Sequence, residues 1–155
     1  MKKILAVILA TAIMAFSGCS TALSEKEYYD RFMESYKTYN SQVIAVAADI
    51  ASLSLGSDLD WDDFKDSLDN ARSSLESIEK LSPPAIYSAQ HREICEKMKP
   101  EKDWCGAVEQ IIRDGEISED SLSKMETAAV ESEFHSVVLY LVKQMRNDGL
   151  GEQQK

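Results

Sequence analysis

Apolar residues recur along this chain in steps of three and four. From Tyr29 the series runs through Phe32, Tyr36, Tyr39, Val43, Val46, Ile50 and Leu53. That is a stripe along one face of a helix about 30 residues, or roughly 45 Å, long. Trp61, Phe64, Leu68, Ala71, Leu75 and Ile78 repeat the step. Leu122, Met125, Ala129, Phe134, Val137, Leu141 and Met145 carry it along a last helix over 119–147, with a drift in register near Ser132. No segment sustains the alternation of a half-buried strand, so the pattern predicts an all-α domain.

The helix starts share one grammar. Ser24 with Glu27 has the form of a capping box, and Leu23 with Tyr28 that of a hydrophobic staple. Leu59 and Phe64 bracket Asp60 in the same way, Leu81 and Ile86 bracket Ser82, and Ile117 and Leu122 bracket Ser118. Pro83 would then take the first helical position, where its missing N–H costs nothing. Gly56, Gly115 and Gly149 stand where left-handed caps would end helices. Short connections favour antiparallel neighbours, which predicts an antiparallel up-down helical bundle of four arms. In the third arm, 83–114, Pro100 steers Lys99 away from helical geometry, so this arm is expected to be broken there.

The start of the chain is of another kind. Lys2 and Lys3 precede an apolar run, Ile4–Phe16, and then Ser17, Gly18 and Cys19. The run is too short to span a bilayer as an anchor and fits a secretory signal. Its ending resembles a bacterial lipobox, in which the cysteine is acylated and the peptide before it removed; Phe16 stands where the family usually carries Leu or another aliphatic residue. The resemblance implies a lipoprotein with residues 1–18 as signal peptide, 19–23 as lipidated N-terminus and short tether, 24–148 as the helical-bundle domain and 149–155 as a flexible tail. It further implies a lipid-anchored protein of the cell membrane or outer membrane, with its domain on the extracytoplasmic side. Ser20, in place of the aspartate that marks inner-membrane retention, leans towards the outer membrane.

Composition narrows the partners. Without its leader the chain has 137 residues, enough for one core, and a formal charge of −12. So acidic a body repels nucleic acid and anionic headgroups, leaving acyl chains as the means of membrane attachment.

Two cysteines remain besides Cys19. On a continuous helix Cys95 and Cys105 would stand about 15 Å apart, whereas a disulfide needs roughly 4.4–6.8 Å between Cα atoms. In an oxidising compartment, an even count placed symmetrically about Pro100 predicts a helical hairpin closed by a Cys95–Cys105 disulfide. The spacing is similar to that of CX9C hairpins, which carry the motif twice.

Other chemistry is sparse. His91 and Cys95 lie four apart on one helix face, and with His135 they are the candidates for a metal. Met33 and His135, on the first and last helices, form a constellation similar to the haem ligands of cytochrome b562-type bundles. The histidines are more simply read as partly buried or surface residues, and the Met33–His135 pair as core-flanking ones, so no metal or cofactor is expected. No nucleophile elbow, metalloprotease motif, phosphate loop or dinucleotide fingerprint occurs, so no catalysis is expected. Tyr28, Tyr29, Tyr36 and Tyr39 crowd the lipid-proximal part of helix one and could serve a docking partner, while Ala45, Ala47, Ala48 and Ala51 would let a neighbouring helix approach closely, within or between chains. The sequence therefore predicts a membrane-anchored helical binding or scaffolding module with an envelope protein partner. A bundle binding a small ligand, haem or a metal is the alternative.

Overall fold

The computed structural model describes residues 22–151. These form six α-helices: α1 (Glu25–Ser54), α2 (Trp61–Glu79), α3 (Ser88–Lys97), α4 (Lys99–Asp114), α5 (Glu119–Glu131) and α6 (Phe134–Asn147). A 3-10 turn, Ala85–Tyr87, precedes α3. The protein is an all-α helical bundle, with no strand among the described residues. None of the described helices is long and apolar enough to cross a membrane. The expected signal peptide and lipidation site, residues 1–18 and Cys19, lie outside the described residues.

Most helix boundaries follow local rules. At α1 the Ser24 side chain accepts from the Glu27 backbone N–H while the Glu27 carboxylate accepts from Ser24 N–H, a complete capping box. Asp60 caps α2 by accepting from Asp62 and Asp63 N–H groups. Ser118 caps α5, with Ser121 completing the box. Gly115 ends α4 at φ +71, a conformation that costs glycine nothing and a residue with a Cβ about 1 kcal/mol or more.

The core has two seams worth following. On α1 the buried residues are Tyr28, Phe32, Tyr36, Tyr39 and Val46, so the seam opens on Tyr28 and leaves Tyr29 half-buried. The second seam runs Tyr87, His91, Ile94, Met98, Glu101, Cys105, Val108 and Ile111, all buried, across α3 and α4. α1 packs chiefly on α2, α2 also on α4, α4 on α5, and α3 on α6. Gln90 bonds Gln144 and Lys97 pairs with Glu133, which sets α3 and α6 antiparallel. Arg72 reaches Glu109 and Lys102 reaches Glu79, which sets α2 against α4 in the same sense.

Three expectations are corrected. Helix α3 does not start at Pro83: Pro84 follows it and denies it helical geometry, Pro84 itself is extended (ψ 153), and α3 begins only at Ser88. The expected reversal at Pro100 is absent. Only Met98 separates α3 from α4, it stays right-handed (φ −76, ψ −12), and Pro100 sits in the first turn of α4. One helical residue cannot make the two- to five-residue connection of a helical hairpin. Cys95 and Cys105 accordingly remain free thiols, and no disulfide joins them. The last arm divides, because Ser132 is extended (ψ 118) between α5 and α6. This shift of register exposes Leu122 and buries Ser121 and Ala128 in its stead. After α6, Leu150 N–H donates to the Met145 carbonyl at 2.9 Å, and Leu150 packs on the core.

Candidate functional site

The polar chemistry of the interior is organised by the tyrosines of α1, which reach across the core at three levels. At the first, Tyr28 Oη and His91 Nδ1 are hydrogen-bonded at 2.9 Å, and His91 Nε2 lies 3.5 Å from Cys95 Sγ. Burial lowers the His91 pKa and raises those of Tyr28 and Cys95, so ring and thiol are both neutral near pH 7. A protonated thiol is a poor nucleophile and a poor ligand, so this cysteine–histidine contact behaves as a packed polar cluster.

At the second level Tyr36 Oη and His135 Nδ1 are hydrogen-bonded at 3.0 Å, with Phe134 edge-on to Tyr36. His135 is exposed. At the third, the Tyr39 hydroxyl donates to Glu101 Oε2 and the Ser132 hydroxyl to Glu101 Oε1. Tyr39 is fully buried and Glu101 is 8% exposed. Burial first, and then the Glu101 charge, push the Tyr39 pKa far upward, so the phenol keeps its proton and remains a donor. Glu101 also stands in the first turn of α4, where the amide dipoles favour a negative charge. This carboxylate ties α1, α4 and the α5–α6 junction together.

A fourth contact lies nearby. Arg72 donates to the Cys105 carbonyl at 3.2 Å and to Glu109 at 2.7 Å. Burial lifts the Cys105 thiol to about 11, against the opposing influence of Arg72.

The residues singled out from sequence are not assembled into one site. His91 and His135 meet α1 at Tyr28 and Tyr36, eight residues and about 12 Å apart along the helix. Both Nδ1 atoms are engaged, and among the described residues no group of three or more His, Cys, Asp or Glu side chains is gathered for a metal. Met33 lines an open groove of about 1030 Å³ with Lys26, Tyr29, Lys37, Arg146 and Leu150. His135 opens the same helix that Arg146 nearly closes, about 16 Å away. His135 instead has its Nδ1 engaged by Tyr36, and it does not line the groove that holds Met33.

Sequence reading passed over Glu101, Ser132 and Arg72. The signal for Glu101 was present: it falls on the apolar step between Met98 and Cys105, where an unpartnered carboxylate would be prohibitive. Ser132 marked itself only as the point where the last seam drifts. Two further grooves are open: about 430 Å³ between α4 and α5, lined by Gly106, Ala107, Thr127 and Ala128, and about 850 Å³ between α3 and α6, beside Tyr140. Comparison of the chain with models of known families, with curated proteins and with solved structures finds no match.

Proposed function

We propose that this protein is a lipid-tethered module of the bacterial cell envelope that acts by helix-mediated contact, with no catalysis of its own. The observation that carries the reading is how the tether meets the bundle. Leu23 N–H donates to the Ser82 carbonyl at 3.0 Å, and the Leu23 side chain packs on the core. Between Cys19 and Leu23 lie at most about 14 Å of chain. An acyl group on Cys19 would thus hold the first turn of α1 close to the lipid surface, while α1, 30 residues long, extends about 45 Å from its start. Such a geometry presents helix faces to other envelope components at a fixed height.

The interior supports contact over chemistry. Burial holds His91 and Cys105 neutral, Glu101 accepts two internal hydrogen bonds, and none of the three lines the grooves described above.

The test is metabolic labelling with an alkyne fatty acid, together with membrane fractionation after a high-salt wash. The wild-type chain is expected to carry label and to sediment with membranes, and Cys19→Ser to lose both. A Cys19→Ser chain that stays membrane-bound or labelled would overturn the tether.

A further inference from the structure

We propose that the outer face of the far half of α1 is a self-association surface, where a second copy of this chain packs its own α1 antiparallel. The sector of α1 turned away from the seam runs Lys37, Ser41, Ile44, Ala48 and Ala51, continued by the C-cap residue Leu55, at the three–four step of a packed helix pair, and all six residues are exposed. Ile44 is 70% and Leu55 83% exposed. Over residues 40–57 the chain has a single charge, Asp49, in a protein where 28% of residues are charged. A helix apolar on both faces is ordinarily buried on both.

The fold explains why this face is bare. Near its start, the same sector of α1 borders the C-terminal end of α6, in the groove of Met33, Lys37, Arg146 and Leu150. Helix α6 begins at Phe134, level with Tyr36 and Tyr39. At Ser132 the chain turns away, and α5 packs along α4. Beyond Tyr39 none of the described helices covers the outer sector.

The pattern of sizes and charges selects the occupant. With two α1 helices antiparallel, Ile44 meets the partner's Leu55 at both ends, and Ala48 meets the partner's Ala51 in the middle. Small residues at the centre let the backbones approach, and large ones close the ends. The same register carries Lys37 about 10 Å beyond Ile44, to the partner's loop that follows Leu55. That loop carries Asp58 and Asp60. Among the described residues, Lys37, Asp58 and Asp60 take part in no ion pair, so the complementary charges are available. The apolar face is about 17 Å long and one helix wide. That is well short of the roughly 800 Å² per partner of a standard stable interface, so the dimer is reversible. This inference names a partner for the contact module but does not depend on its tether, and either can fail alone.

Sedimentation of the full mature-length chain carrying Cys19→Ser, from about 1 μM to about 1 mM, tests it. The mass is expected to rise from one chain towards two. Ala48→Glu, at an exposed helical position, should leave the far-UV spectrum and melting unchanged while raising the dissociation constant at least about tenfold. Lys37→Glu should weaken association, and Asp58→Lys added to it should restore it. A chain that stays monomeric throughout, or one whose dimer survives Ala48→Glu, overturns the proposal, the latter by placing the contact on another face such as Leu139–Tyr140. Failure of Asp58→Lys to rescue Lys37→Glu overturns the antiparallel register.

Discussion

Replacing Tyr39 by phenylalanine removes one oxygen from the core and nothing else, and it isolates what Glu101 contributes to the fold. In the native protein both Glu101 oxygens accept a hydroxyl, Tyr39 on Oε2 and Ser132 on Oε1, and neither Tyr39 nor Glu101 is more than 8% exposed. A hydrogen bond to a charged acceptor contributes about 1.5–3 kcal/mol, and an acceptor left dry costs its desolvation. The first-turn position in α4 offsets part of that loss, which places Tyr39→Phe near 2 kcal/mol. For a domain of this size the melting temperature should fall by roughly 6 °C. With a urea m-value of about 2 kcal/mol/M the midpoint should move down by roughly 1 M, with m itself unchanged. Tyr36→Phe is the internal control, because it removes the same atom from a contact with the exposed His135 and should cost under about 1 kcal/mol. Equal losses from the two variants would refute the reasoning, for burial would then have no bearing on the cost. In a double-mutant cycle with Ser132→Ala, the two losses should be non-additive, since both donors serve one carboxylate.

Two further outcomes follow from the same interior. Burial lowers the His91 pKa below its ordinary 6.5, so the unfolded chain binds this proton more readily than the folded one. The contribution is fully present above pH 6.5 and is lost as pH falls through that value towards the folded pKa; urea midpoints of His91→Gln should decline less steeply than wild type on acidification, and equal slopes would count against it. Intact-mass analysis should show Cys95 and Cys105 alkylated in denaturant without reductant, and in the native protein half-exposed Cys95 should react before Cys105, whose thiol is buried and lifted to about 11. A mass that gains alkyl groups only after reduction would contradict the free thiols.

Much of the fold was legible because helical seams and caps are local signals. Ser24, Asp60 and Ser118 cap where the polar residue precedes the apolar step, and Gly115 closes α4 as its position implied. The bracket around Ser82 misled because it judged Pro83 alone. The following Pro84 constrains Pro83 more strongly than any staple favours it. At Tyr28 and Tyr29 two adjacent aromatics both fitted the three–four step, and only the direction of the neighbouring helices decides which turns inward. The split at Ser132 was visible as drift but unreadable as a break, because its stabilising partner, Glu101, is 31 residues away.

Pro100 shows how a correct local rule gave a wrong global inference. Proline does interrupt helical hydrogen bonding, but at the start of a helix it interrupts nothing, and Pro100 lies in the first turn of α4. The cysteine count favoured a reversal, whereas the spacing of buried residues opposed it. Tyr87, His91, Ile94, Met98, Glu101, Cys105 and Val108 keep one unbroken step of three and four across the proline. A reversal would have had to restart that step. On α1, Tyr28 and Tyr39 stand eleven residues apart; the groups they meet, His91 and Glu101, stand ten apart on the second seam. The match in spacing means that the two arms run parallel in register at these levels, which no hairpin at Pro100 could satisfy. A buried histidine and a buried carboxylate on an otherwise apolar step thus carried more topological information than the cysteines, because each required a partner at a fixed distance along the same neighbour.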